Sequence, residues 1–184
     1  MRAAVVDAVL AELSSGGYDA LTVEQVATRS GVHKATLYRR WGGVDGLVAE
    51  ALAHSAEAEW AIPDTGSLAD DLRAVTHAVL VGFTDPAYGG AATALISAAL
   101  RSTQGAQALA SFFATRLHDA AAVVTRAVER GELPAGVDAV EVIRTATAPL
   151  YFRLFITGEP LDKAIADRAA AAALAATEAG VFTA

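Results

Sequence analysis

Thr22-Val23-Glu24-Gln25-Val26-Ala27-Thr28-Arg29-Ser30-Gly31-Val32-His33-Lys34-Ala35-Thr36-Leu37-Tyr38-Arg39-Arg40-Trp41 is the stretch that decides how this chain folds. Thr22 followed three residues later by Gln25 reads as a capping box, in which each residue satisfies a free N–H of the other. The helix it opens is short, because Ser30-Gly31 stops it. A second helix spans roughly His33 to Trp41, and Gly42-Gly43 breaks the chain again. Ala27 is small where the second helix must cross close to the first. Gly31 suits a turn whose conformation a β-carbon disfavours. Val26, Val32 and Leu37 supply the apolar contacts between the two helices. This is helix-turn-helix spacing, with the second helix offered to a major groove. Its surface carries Lys34, Thr36, Tyr38, Arg39 and Arg40, all donors to phosphates or base edges. Between Glu24 and Asp45 stand four cations and no acid. A small helical subdomain with a solvated basic face shares the same spacing.

Working outward, nearly everything reads as helix, since alanine dominates and apolar residues recur every three or four positions. A first helix runs from about residue 2 to 15 with Val5, Val9, Leu10 and Leu13 on one face, ended by Gly16-Gly17. A fourth covers about 44–60 with a stripe of Leu47, Val48, Ala51 and Leu52. Ile62-Pro63-Asp64-Thr65-Gly66 marks a boundary. Ser67 then caps a helix to about Phe83, and Asp85-Pro86 opens another. Longer segments follow near 104–131 and 138–157, the second carrying Pro149, which should kink it. The last helix covers about 161–179. No strand pattern competes. The expectation is an all-α chain of about nine helices, with residues 1–54 as one domain and 55–184 as a second.

Composition narrows the function classes. The chain has 184 residues, 54% hydrophobic and 19% charged, which excludes overall disorder. Its positive mean hydropathy of +0.38 comes from 45 alanines rather than from a lipid-facing segment. The longest uncharged stretch, Pro86 to Leu100, is 15 residues, short of the ~20 needed to span a bilayer. Asp7 falls too early for the apolar core of a signal peptide. With no cysteine there is no disulfide framework or thiolate metal site, and a cytoplasmic address is the simplest expectation. The four histidines are at least 21 residues apart, no nucleophile elbow or phosphate loop occurs, and the adjacent Asp70-Asp71 reads as a solvated face. The reading is of a non-enzyme with no catalytic residue, metal or cofactor. The net charge of -7 makes the chain a poor general polyanion binder, but the basic island permits local nucleic-acid binding.

Gly31-Val32, Lys34-Ala35-Thr36-Leu37-Tyr38-Arg39-Arg40-Trp41 and Leu47-Val48-Ala49-Glu50-Ala51-Leu52 resemble the amino-terminal domain of tetracycline-repressor (TetR/AcrR) family regulators. The rest resembles a ligand-binding carboxy-terminal domain of that family through Pro63-Asp64-Thr65-Gly66-Ser67-Leu68, Asp71-Leu72-Arg73, Arg130-Gly131-Glu132-Leu133 and the stretch Ala148-Pro149-Leu150-Tyr151-Phe152-Arg153-Leu154-Phe155-Ile156-Thr157-Gly158-Glu159-Pro160-Leu161. The resemblance implies a homodimeric repressor released from its operator by a small molecule. It also implies that Lys34 and Ala35 face bases and that Thr36, Tyr38 and Arg40 meet phosphates or neighbouring bases. Arg39 is within reach of DNA, and Thr22 binds a phosphate at a helix N-terminus. Two departures stand out. The lysine that family members commonly carry after the recognition helix is replaced by Gly42-Gly43-Val44-Asp45, where Asp45 adds mild repulsion. A basic arm before the first helix is also missing from the sequence as given, so upstream residues are lacking or DNA is bound less tightly.

In the carboxy-terminal part, Phe83, Tyr88, Phe112, Phe113, Tyr151, Phe152 and Phe155 exceed what a small alanine-rich core requires. In this family context several are expected to line a mainly apolar effector pocket, with His77, Arg116, His118 and Tyr151 as polar candidates to orient the ligand. The last two helices, rich in small residues and including the run Ala169–Ala173, are the expected dimer contact, as a four-helix bundle. The competing reading is a small-molecule-binding protein of the same fold whose DNA affinity is weak or lost.

Overall fold

Val5, Val9 and Leu13 return to one side of a helix at intervals of four. In the computed structural model, which describes residues 1–58 and 60–183, they are buried in α1 (Arg2–Ala20). Gly17, at φ 69 and ψ -174, leaves the helical region inside that span, so the expected stop at Gly16-Gly17 is a break with one further turn behind it. Then come α2 (Val23–Ser30), α3 (Lys34–Trp41) and α4 (Val44–Ala56). The last is shorter than the expected 44–60. Ser67 caps α5 (Leu68–Thr84) by accepting the Asp70 N–H at 3.2 Å.

The helix expected to open at Asp85-Pro86 begins later, as α6 (Gly89–Ala99). The Asp85 carboxylate accepts the Ala87 N–H at 2.8 Å and so closes a turn there instead. The expected helix over 104–131 is two helices, α7 (Thr103–Ala120) and α8 (Ala122–Glu129). A tight Val124-to-Ala121 backbone bond of 3.0 Å marks the joint. Asp138 caps α9 (Ala139–Phe152), and Asp162 caps α10 (Lys163–Glu178). Pro149 has no N–H to offer within α9, and just beyond Phe152 the helix widens into a π-turn over Arg153–Thr157. Wide turns of this kind arise where the regular ladder has been disturbed. Among the described residues there are thus ten α-helices and no strand, an all-α fold.

Two compact units result: Met1–Glu59 with Asp85–Ala114, and Trp60–Thr84 with Thr115–Ala184. Sequence reading drew one boundary after residue 54 and did not group residues 85–114 with the helix-turn-helix. The cause lies in α6, where Gly89, Ala98 and Ala99 are buried and let it pack closely along α1. In the second unit, Leu68, Leu72, Val75, Val123, Val124, Val142, Ile143 and Ala173 form the core. The alanine run splits between two environments: Ala169, Ala170 and Ala173 are buried, whereas Ala171 and Ala172 are exposed.

One polar network organises this second unit. Asp71 is fully buried, accepts the Thr65 N–H at 2.7 Å and the Thr65 hydroxyl at 2.8 Å, and lies 3.5 Å from Arg130. Arg130 also binds Glu132 at 2.5 Å, and Glu132 accepts the Leu68 N–H at 2.8 Å from 64 positions away. Arg126 donates to the Pro63 carbonyl. The expected solvated pair is therefore half right. Asp70 is exposed beside Arg73, while Asp71 points inward because the 63–67 loop folds over it.

Candidate nucleic-acid interface

The reading head is built by its caps. The Thr22 hydroxyl accepts the Gln25 N–H, and the Gln25 side-chain amide oxygen accepts from the Thr22 N–H at 2.9 Å, so α2 starts at a fixed residue. Gly31 takes the left-handed conformation at φ 69 that ends it. The next helix, α3, then sorts its residues by side. Leu37 and Trp41 are buried, whereas Lys34, Ala35, Tyr38, Arg39 and Arg40 are exposed and Thr36 is half-buried. Tyr38 is 46% exposed, so its hydroxyl is open to a partner.

Behind this face the helix is tied down. The Trp41 indole N–H donates to Glu50 of α4 at 2.7 Å, and Glu50 also pairs with Arg2 of α1. Burial works to raise the Glu50 carboxyl, but Trp41 and Arg2 outweigh it and hold its pKa down. The Arg40 guanidinium stacks 5.1 Å from the Trp41 ring centroid. Gly46, also in α4, lies against the end of the recognition helix, where a β-carbon would meet the Trp41 carbonyl oxygen at 1.7 Å. The Tyr18 hydroxyl donates to Asp45, a bond that raises the phenol pKa. Arg101 stacks 5.7 Å from the Tyr18 ring centroid and reaches Asp19 at 2.9 Å. Asp45, expected to repel DNA, is thus engaged inside the unit.

Charge is less available than composition suggests. Arg29 pairs with Glu12 at 2.6 Å, and Lys34 pairs with Glu24. The Lys34 bond lowers the Glu24 pKa, and the Glu24 bond raises that of Lys34. Among the described residues, Arg39 and Arg40 have no carboxylate at ion-pair distance. Thr22 is exposed at the capped amino end of α2. Glu24, Glu50 and Tyr18 escaped sequence reading because their partners lie 10, 9 and 27 positions away, distances that no helical period connects.

The effector candidates fall into separate groups. In the second unit Phe83 meets Tyr151 and Phe155 edge-on, with centroids 5.8 and 5.7 Å away. Burial of its hydroxyl end pushes the Tyr151 pKa up to about 12, against the pull of Arg116 nearby. His77 is engaged otherwise, 2.7 Å from Asp167 across the α5–α10 contact. Phe152 is 56% exposed on the outer side of α9, and His118 is exposed. Tyr88 and the edge-on pair Phe112–Phe113 belong to the first unit, and Tyr88 is exposed.

A capped helix-turn-helix with an exposed donor face, followed by a separate all-helical unit, defines a DNA-binding transcriptional regulator. The family model for bacterial regulatory proteins of the tetR family matches residues 5–51, and that for the tetracyclin repressor-like C-terminal domain matches residues 62–173. The DNA-binding transcriptional repressor TetR of Mycobacteroides abscessus is 31% identical over 172 residues, 90% of this chain and 87% of that protein. The regulator YdeS of Bacillus subtilis is 30% identical over 161 residues, 86% of this chain and 80% of its own length. A TetR transcriptional regulator from Agrobacterium tumefaciens has a similar structure, with TM-score 0.72 and 26% identity over 95% of this chain and 92% of that one. The chain belongs to the TetR family of transcriptional regulators. Such regulators bind DNA and dimerise. Among the described residues no helix is long and apolar enough to cross a membrane.

Proposed function

We propose that this protein is a homodimeric repressor that leaves its operator when an apolar small molecule binds its second unit. One observation carries the reading: the exposed face of α3 carries the donors Lys34, Tyr38, Arg39 and Arg40, while its buried face is locked to α4 through Trp41 and Glu50. Lys34 and Ala35 meet base edges in the major groove, Thr36, Tyr38, Arg39 and Arg40 meet phosphates or neighbouring bases, and Thr22 holds a phosphate at the start of α2. The name of the M. abscessus relative, a repressor, supports negative control.

The homodimer forms through α9 and α10. Support comes from the exposure of Phe152 and Ile156, 56% and 71%, and of Ala164, Arg168, Ala171 and Ala175 along one side of α10. The effector contacts the aromatic cluster of Phe83, Tyr151 and Phe155 near Arg116. It acts by changing the separation of the two recognition helices, so that both no longer enter successive grooves.

The test starts from duplexes enriched by the purified protein from a randomised pool. Selection of a palindromic sequence, with binding lost in Tyr38→Phe and Lys34→Met, is the expected result. Binding that stays weak and indifferent to sequence favours the same fold acting without DNA. For the effector, a library of apolar compounds is screened for a rise in Tm together with release of the selected duplex, and Phe83→Ala abolishes both.

A further inference from the structure

Lys34, the first residue of the recognition helix, is not free to read DNA in this structure. Its ammonium is paired with the Glu24 carboxylate, which α2 presents from its second position. Both side chains are about half exposed, at 52% and 55%, so the pair opens readily to solvent. Such exposed pairs are worth little in themselves. Among the described residues Glu24 has no other cation at ion-pair distance, and no further acid lies between it and Asp45 in the sequence. Glu50 also lies near this helix but is engaged by Trp41 and Arg2, so among the described residues Glu24 is the carboxylate that holds Lys34.

The exchange chemistry differs with what Lys34 meets. Leaving a carboxylate for a lone phosphate swaps one anion for another and gains little. Entering the major groove beside guanine O6 and N7 adds base acceptors to the surrounding phosphate potential. We infer that Glu24 is a specificity-determining residue: it holds Lys34 back on unselected DNA and yields it only to a base edge. It acts through Lys34 and so is a positioning residue. The inference rests on the reading of Lys34 as a base contact.

The experiment is a four-member cycle of wild type, Glu24→Gln, Lys34→Met and the double variant. Each is titrated with a selected duplex and with an unselected one over a range of salt. For Glu24→Gln on unselected duplex, each reading head gains about one phosphate contact. The plot of log affinity against log salt then steepens by about 0.9 per head, and affinity at about 50 mM salt rises roughly ten-fold per head. On the selected duplex the slope stays put and the gain per head is at most about five-fold. In the Lys34→Met background Glu24→Gln changes neither slope.

An unchanged unselected slope in Glu24→Gln overturns the inference. So does an equal change in the Lys34→Met background, which assigns Glu24 to plain repulsion of phosphates. If Lys34→Met leaves the selected duplex bound at full strength, the reading of Lys34 itself fails. That outcome is distinguishable from the first two. Circular dichroism of each variant checks that α2 and α3 persist.

Discussion

Replacing Asp71 by alanine removes the hub that holds the 63–67 loop to the end of α8. The variant leaves the Thr65 N–H and hydroxyl without the acceptor now 2.7 and 2.8 Å away, and deprives Arg130 of a neighbour at 3.5 Å. Breaking a fully buried ion pair from one side costs about 3–5 kcal/mol. Here only the aspartate is fully buried, while the Arg130 side chain is 28% exposed and keeps Glu132. The lower end, about 3 kcal/mol, is therefore expected. For a chain of this length that is a fall in Tm of about 6–12 °C. Asp71→Asn retains an oxygen for Thr65 and should fall about half as far. Asp70→Ala, one residue away on the exposed side, should cost under about 1 kcal/mol. Thermal and urea unfolding followed by circular dichroism read all three. Equal losses at positions 70 and 71, or no loss at 71, would refute the argument that burial of this carboxylate organises the second unit.

Three shorter predictions follow from the same contacts. The Glu132 carboxyl is held below its usual pKa by the Leu68 N–H and then by Arg130. Because the folded value is the lower one, its stabilisation is whole above about pH 4.5 and fades as pH falls through the folded pKa. Glu132→Gln still accepts the Leu68 N–H and should flatten the acid limb of a urea-midpoint-against-pH curve. Gly46→Ala puts a β-carbon 1.7 Å from the Trp41 carbonyl oxygen, so α3 must shift against α4 by more than an ångström, at about 1–3 kcal/mol. Affinity for a selected duplex should drop while sedimentation shows an intact dimer. Ala171→Glu places two acids at the proposed α10 contact, and sedimentation should then give monomers with unchanged helix content.

Where contacts are local, the sequence carried them in readable form. The Thr22–Gln25 box, the left-handed Gly31 and the burial of Leu37 each depend on residues within a few positions. The effects that escaped reading are all long-range. Asp71 looked solvated because its hydrogen-bonding partner Thr65 lies in an irregular loop and its ion-pair partner Arg130 lies 59 positions away. Asp85-Pro86 looked like a helix start, yet the Asp85 side chain spends its acceptor on a turn. Grouping of α6 with α1 rests on close approach of small residues, which composition alone does not locate. The aromatic candidates were chosen by type, and type does not say which unit a ring joins. Phe83, Tyr151 and Phe155 come together, whereas Tyr88 and Phe112 belong to the other unit.

The same distinction between formal and usable charge sets a measurable number. Residues 1–54 hold five cations: Arg2, Arg29, Lys34, Arg39 and Arg40. If all five neutralised phosphates in each half of a dimer, ten contacts would give a salt slope of about -9. Arg2 and Arg29 are committed to Glu50 and Glu12, on sides that brace the helices. With Lys34 released, three cations per head remain, six in the dimer, for a slope of about -5 on a selected duplex. On unselected duplex Lys34 stays with Glu24, two cations per head remain, and the slope falls to about -4. Titration against potassium chloride measures both. A slope near -9 would mean that the internal ion pairs dissolve on binding. Slopes identical on the two duplexes would mean that Lys34 does not tell them apart.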